Sequence, residues 1–282
     1  MKRQLVLEGK PVADAIREKL VSQFSECEAT LATFIIGNNA PAHVYKRSLL
    51  KCAESLGVRT RDVELPESVT QQEAEASLRA LSDDPAVTGI LPLMPVPPQI
   101  KQMTLMSCLD PKKDMDCLHP LNSGEFYLGI SPWGPCTPRA CIALLDYYHI
   151  PLVGKRVVMV GYGDVVGRPL TLMLVDRHAT VTVCRSKTKN LPNILSQADV
   201  ILSAVGKPNF ITEDMVRENC VLVDIGLSSL DGKMVGDISE GAKLKKAAAY
   251  TPVPGGVGVL SNLMVMELSL IHISEPTRRS YI

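Results

Sequence analysis

A chain of 282 residues can form one large α/β domain or two modest ones with real cores. Thirty Lys and Arg balance thirty Asp and Glu, which excludes nucleic-acid or membrane-surface binding by bulk positive charge. Hydrophobic residues at 46% exclude a disordered chain.

In chain order, the first residues (MKRQLVLEGKPVADAI) lack the apolar core and cleavage site of a signal peptide. No apolar run approaches the roughly 18 residues needed to cross a bilayer, so the chain reads as soluble and cytoplasmic. Val12 to Phe24 carries apolar residues at helical spacing, and LATFIIG (31–37) reads as a buried parallel strand stopped by Gly. A helix is expected from about Ala42 to Leu56, closed by Gly57, then another over 70–82 and a strand at VTGILPLM (87–94). This alternation predicts a parallel sheet covered by helices. From Asp110 to Trp133 the chain turns irregular, a texture that more often marks function than idle loop. A helix resumes over Thr137–Tyr148, with Pro138 near its start. Four apolar strands follow, KRVVMVG (155–161), TVTVC (180–184), DVILSAVG (199–206) and CVLVDIG (220–226). That is the rhythm of a dinucleotide-binding fold and sets a domain junction near 140–150.

The eight cysteines are scattered, with no Cys-x-x-Cys pair and no zinc-ligand spacing, so they read as reduced, mostly buried thiols and no metal is expected. The strand KRVVMV runs into Gly161, Tyr162, Gly163 and, four residues on, Gly167 before an apolar helix. Glycines here let the chain approach a pyrophosphate at a helix N-terminus, although a plain strand-turn-helix corner has the same look. The next strand ends in Cys184, Arg185, Ser186, Lys187, Thr188 and Lys189, where an NAD site usually has an acid for the ribose 2′-hydroxyl. Cations and hydroxyls suit a 2′-phosphate instead, so NADP is expected over NAD.

With these motifs in view, the chain resembles the bifunctional methylenetetrahydrofolate dehydrogenase/cyclohydrolase family, FolD. The likeness rests on NNAPAHVY (38–45), GILPLMPVP (89–97), DPKKDMDCLHPLNSG (110–124), PCTP (135–138), VGRPL (166–170), SKTKNL (186–191), AVGKP (204–208) and TPVPGGVG (251–258). It implies an α/β chain of two domains with the active site in a cleft between them. A folate-binding catalytic domain would span 1–140, completed by a helix start at 259–267, and a Rossmann NADP-binding domain would span 141–258. It also implies a cytoplasmic homodimer acting on a small folate substrate, without nucleic-acid or membrane partners, in which methylenetetrahydrofolate is oxidised with NADP and the methenyl product is then hydrolysed.

The resemblance implies site residues one at a time. Tyr45 and Asp116 match catalytic and substrate-binding positions, joined by Pro254, Gly255 and Gly256 on the substrate side. Gly161, Tyr162, Gly163, Gly167, Arg185, Ser186 and Leu227 match the cofactor side. The family's helix motif is Tyr-x-x-x-Lys, but here the position four after Tyr45 is Leu49, and the Gln that partners that Lys is matched by Leu93. Lys46 and Lys51 lie about 100° and 240° round the helix from Tyr45 and are not obvious substitutes. The family's Gly-Arg-Ser reads Gly161-Tyr162-Gly163 here, losing a cation and a hydroxyl that Arg185 would have to replace.

Plainer roles compete at several positions. Tyr45 reads equally as a half-buried aromatic, Asp114 as a turn former or cap, His119 as a structural hydrogen-bonding residue and Cys117 as a packing thiol. A degenerate relative that binds folate or nucleotide without turnover is the alternative function. A two-domain dehydrogenase of the shikimate type leaves DMDCLHP and TPVPGGVG unexplained. Residues 268–278 (LSLIHISEPTR) resemble the translation of a sequencing adapter, and 268–282 are expected to be a non-native tail.

Overall fold

The computed structural model describes residues 4–25, 28–131 and 133–274, with side chains described to Ser269. In chain order the elements are β1 (Leu5–Val6), α1 (Gly9–Phe24), β2 (Thr30–Ile36), α2 (Ala40–Ser55), β3 (Arg59–Leu65), α3 (Gln71–Asp83), β4 (Gly89–Pro92), α4 (Gln102–Met106), α5 (Pro120–Tyr127) and α6 (Cys136–Tyr147). There follow β5 (Arg156–Val160), α7 (Gly167–Asp176), β6 (Thr180–Cys184), α8 (Leu191–Leu195), β7 (Val200–Ser203), β8 (Cys220–Asp224), β9 (Ser228–Leu230), β10 (Lys233–Val235), α9 (Glu240–Lys246), β11 (Ala247–Tyr250) and α10 (Gly258–Ser274). None of the described helices is long and apolar enough to cross a membrane.

The chain divides into two compact units, 16–136 with 262–282, and 1–15 with 137–261. In the first, three parallel strands pair in the order β3-β2-β4. The central strand β2 is buried along almost its whole length, as its apolar run requires. Ala32, Phe34 and Ile36 of β2 share a core with Leu78 and Leu81 of α3 and Leu105 and Met106 of α4. Helix α3 starts on a reciprocal cap between Thr70 and Glu73. Helix α2 opens at Asn39, whose side chain accepts from the Ala42 N–H at 3.0 Å, and ends before Gly57, at φ +75°.

The second unit holds a six-stranded parallel sheet in the order β1-β11-β8-β7-β5-β6 and a small antiparallel β9–β10 hairpin. All four strands expected from the apolar runs form. The N-terminal residues differ from expectation, because Leu5 and Val6 pair with Ala249 and Tyr250 in this sheet and the first fifteen residues group with this unit. A two-residue strand has no periodicity to read; only its partner β11 makes it one.

The last helix runs from Gly258 to Ser274, past the helix start expected at 259–267 and short of Pro276. Leu268 and Ser269 are buried, with the Ser269 hydroxyl bonded to the Val265 carbonyl. The rest of the expected tail, 275–282, lies outside the described residues, as does Cys27. The seven described cysteines are unbridged, and all but Cys117 are buried. Burial pushes the Cys220 thiol up to about 12, as suits an inert packing group.

Candidate active site

In an open parallel sheet, ligands bind beyond the carboxyl ends of the strands, where the chain switches from building one side to the other. In the three-stranded sheet that switch lies between β2 and β4. The loop after β2 leads into α2 there, and Leu93, just past β4, donates its N–H to the Phe34 carbonyl at 2.8 Å. Tyr45 and Leu49 stand one helical turn apart on α2. Leu49 is completely buried and Leu93 is 5% exposed.

Lys46 points elsewhere. Its side chain is buried and its ammonium closes on Asp62 and Glu64 of β3, with Asp62 at 2.6 Å. Asp62 also accepts from the Thr33 hydroxyl at 2.6 Å. Burial works to lower the Lys46 pKa, but the hydrogen bonds and charges of the two acids outweigh it and hold it above the ordinary lysine value. This lysine is committed to the sheet.

The Asp-rich loop runs beside β4, where Met115 donates to the Ile90 carbonyl at 3.1 Å. Asp114 is 2% exposed and accepts from the backbone N–H groups of Asp116, Leu118 and His119 and from the Asn122 amide, so it organises the turn. His119 caps α5, its Nδ1 accepting from the Leu121 N–H at 3.1 Å. Cys117 sits at φ +54°, a left-handed conformation that costs a side-chain-bearing residue about 1–2 kcal/mol. Its thiol donates to the Trp133 carbonyl at 3.2 Å.

Asp116 accepts from the Cys136 N–H at 2.6 Å, which fixes the carboxylate against the start of α6. Tyr45 belongs to the same cluster. Burial pushes its hydroxyl well above the usual tyrosine value, and Cys136, Asp116 and Cys52 add in the same direction. Desolvation makes this tyrosine a still weaker acid than a free one, protonated at neutral pH.

In the six-stranded sheet the switch lies between β5 and β7. Gly161 ends β5 at φ +97°, and a Cβ there would come within 2.4 Å of the Ala204 carbonyl oxygen on the loop after β7. At Gly163 a Cβ would meet nothing within 4 Å, so its absence leaves backbone open to an approaching ligand. Gly167 opens α7. These features fit a dinucleotide pyrophosphate held by Gly161 to Gly167.

At the end of β6, Arg185 and Ser186 are exposed, and the Arg185 N–H donates to the Thr188 hydroxyl at 2.8 Å. The guanidiniums of Arg168 and Arg185 lie 5.4 and 5.8 Å from the centre of the Tyr162 ring. Leu227, just past β8, is 56% exposed. Pro254, Gly255 and Gly256 follow β11, and the Gly255 carbonyl accepts from the Gly9 N–H at 2.8 Å.

The structure thus gathers Tyr45 and Asp116 in one unit and the glycine loop with Tyr162 and Arg185 in the other. Sequence reasoning missed Asp62 and Glu64, because the highly charged RTRDVEL does not read as a strand. It also missed Asn262, which donates to the Ser48 hydroxyl at 2.9 Å and keeps a buried amide oxygen without a partner. A lone Asn among the apolar residues of α10 was the available signal.

Two family models match the chain, the tetrahydrofolate dehydrogenase/cyclohydrolase catalytic domain over residues 7–116 and the NAD(P)-binding domain of the same family over 135–276. The bifunctional protein FolD 2 of Lactobacillus johnsonii is 38% identical over 271 residues, covering 94% of this chain and 96% of its own. The structure of the bifunctional FolD enzyme of Campylobacter jejuni superposes with a TM-score of 0.90 at 36% identity, covering 96% of this chain and 98% of that one. The Trypanosoma brucei FolD structure, complexed with NADP and an inhibitor, gives 0.93 at 31% identity over 99% of this chain and 100% of that one. On both halves of its sequence and on its fold, the chain belongs to the tetrahydrofolate dehydrogenase/cyclohydrolase family.

Proposed function

We propose that this chain oxidises 5,10-methylenetetrahydrofolate to the 5,10-methenyl form with NADP and leaves hydrolysis of that product near its uncatalysed rate. Folate binding is ascribed to the unit carrying Tyr45 and Asp116, and cofactor binding to the unit carrying Gly161, Gly163, Gly167, Arg185, Ser186 and Leu227. On the same reading the enzyme is a cytoplasmic homodimer, as its family likeness implies.

NADP, when bound, supplies the acceptor for the hydride that leaves the methylene carbon. That step creates the methenyl cation directly and asks the protein for alignment more than for a proton carrier. Asp116 is an ionised acceptor for the paired N–H donors of a pterin's aminopyrimidine edge. Tyr45, protonated at neutral pH like any tyrosine and more firmly so for its desolvation, is a group for hydrogen bonding and not a base.

Opening the methenyl cation is different chemistry. Water adds to the carbon and gives up a proton, the bond to one ring nitrogen breaks, and that nitrogen takes a proton. Positioned acid–base help is worth about 10²–10⁴-fold in such a step. The observation that carries this reading is the apolar pair Leu49 and Leu93, both buried, together with Lys46 already closed on Asp62 and Glu64. No lysine stands ready on the Tyr45 face of α2.

The test follows reduced-cofactor formation and, separately, decay of methenyltetrahydrofolate absorbance. We expect dehydrogenase turnover with hydrolysis at background. The double variant Leu49→Lys with Leu93→Gln should restore hydrolysis better than either single change, because a lone buried lysine lacks a polar partner. Robust hydrolysis by the unaltered protein would show that another residue serves the proton transfers. Failure to reduce NADP would leave only the non-catalytic binding reading.

A further inference from the structure

Two positively charged side chains from different elements meet on one aromatic ring at the mouth of the cofactor loop. Arg168 comes from the first turn of α7 and Arg185 from the turn after β6, and Tyr162 lies between those stretches in the glycine loop. Both guanidiniums are within the roughly 6 Å of a ring centre at which cation–π attraction operates. Both side chains are exposed, so nothing in the packing forces them together. Like charges gathered at a surface repel, and the arrangement makes sense when an anion is to sit between them. Lys187 adds a third cation in the same turn, and Ser186 adds a hydroxyl. A carboxylate is also present, since Asp164 holds Arg168 at 3.1 Å and both partners are largely exposed.

The position tells which anion. In a sheet of this order the turn after β6 faces the adenosine ribose, where an acid selects a free 2′-hydroxyl and an arginine a 2′-phosphate. We infer that Tyr162 gathers Arg168 and Arg185 into a two-guanidinium clamp for the 2′-phosphate of the dinucleotide, and that Asp164 occupies Arg168 until the phosphate displaces it. Tyr162 then does by ring stacking what the family's Arg and Ser would do by direct contact. This inference rests on the NADP reading given above, and it names Arg168, Tyr162 and Asp164 as residues that set cofactor choice.

The test titrates the purified full-length chain with NADP, NAD, 2′,5′-ADP and 5′-AMP, reading binding calorimetrically and not by activity. The parent should prefer NADP over NAD and 2′,5′-ADP over 5′-AMP. Arg168→Gln and Arg185→Gln should each weaken the two 2′-phosphorylated ligands by about tenfold, with NAD and 5′-AMP unchanged. Tyr162→Ala should weaken the same two by roughly threefold while Tyr162→Phe, which keeps the ring, should match the parent. Asp164→Asn should tighten them by roughly threefold. If the parent shows no preference for NADP, the NADP reading fails and the clamp with it. If the parent prefers NADP but Arg168→Gln keeps that preference in full, the clamp alone is wrong. Equal losses for NAD and NADP in Tyr162→Ala would also overturn it, by showing that the ring stacks on adenine instead of holding the arginines.

Discussion

Asp114 and Asp116 stand two residues apart and have opposite surroundings. The first is almost fully buried, with three backbone N–H groups and the Asn122 amide on its oxygens. The second meets the start of α6 and neighbours the Tyr45 hydroxyl. Asp114→Ala would leave those donors unsatisfied and should cost about 2–4 kcal/mol, read as a lower urea midpoint. Asp116→Asn keeps an acceptor for the Cys136 N–H but loses the charge that the proposed function assigns to pterin binding. It should leave the midpoint near the parent's while raising the folate dissociation constant at least tenfold. Titration with folate under conditions where both variants are folded checks this. Greater loss of affinity in Asp114→Ala would show that the pterin anchor has been misplaced. Sequence separated these two acids only through the family likeness; their burial is a tertiary property.

At the scale of elements, β3 and its contact with α2 carry the clearest lesson. The strand RTRDVEL is mostly charged and exposed, the composition of an edge strand protected against further pairing, and its periodicity alone does not mark it as a strand. Its Asp62 and Glu64 are what bury Lys46. The Asp62 carboxyl loses some stability to burial, but hydrogen bonds from Lys46 and Thr33 more than offset that and hold its pKa below the ordinary value. A depressed acid contributes stability that is present above its unfolded pKa of about 4 and lost as pH falls through the folded value. Lys46, raised above the ordinary lysine value, contributes stability that is present below its unfolded pKa and fades only as pH rises beyond it. Lys46→Met should therefore lower stability by about 1–3 kcal/mol at neutral pH. The gap from the parent should shrink as pH falls below about 4, toward the depressed value at which folded Asp62 takes up its proton. Urea titrations at pH 7 and pH 3 measure both, and a gap that stays constant would show that packing, not charge, holds this helix. Because Lys46 serves the sheet, the same variant should leave any dehydrogenase turnover of the folded protein unchanged.

Over the whole molecule, the loops at the carboxyl ends of β7 and β8 depend on buried charge. Asp224 and Lys243 form an ion pair at 3.0 Å, with side chains 0% and 1% exposed. Asp224 also accepts from the N–H groups of Asp237 and Ile238. Asp237 in turn accepts from the Ser203 hydroxyl and the N–H groups of Val205 and Lys207, which ties down the loop that touches Gly161. Removing one partner of a buried pair strands the other, at a cost of about 3–5 kcal/mol. Lys243→Met should show a loss of that size, and adding Asp224→Asn should recover part of it, because the amide oxygen still accepts while the stranded charge is gone. A double-mutant cycle in urea checks the coupling; simple additivity would mean the pair is not a unit.

The sequence by itself determined the α/β class, strands β5 to β8 of the larger sheet, the helices with strong caps, and the family. Those follow from short-range patterns, apolar runs for buried parallel strands and glycines at forced turns, and from long motifs that survive in linear order. Its likeness to the family also gave the expectation that Leu49 and Leu93 stand where the family has polar residues. Only the tertiary structure decided that Lys46 is paired across to β3, which donors Asp114 binds in the turn it was expected to form, and that Leu5–Val6 completes the six-stranded sheet. It alone brought Arg168 and Arg185 onto one ring. Each of these depends on a partner distant in the chain, and the energy of burying a charge or pairing a strand depends on that partner, which no local pattern encodes.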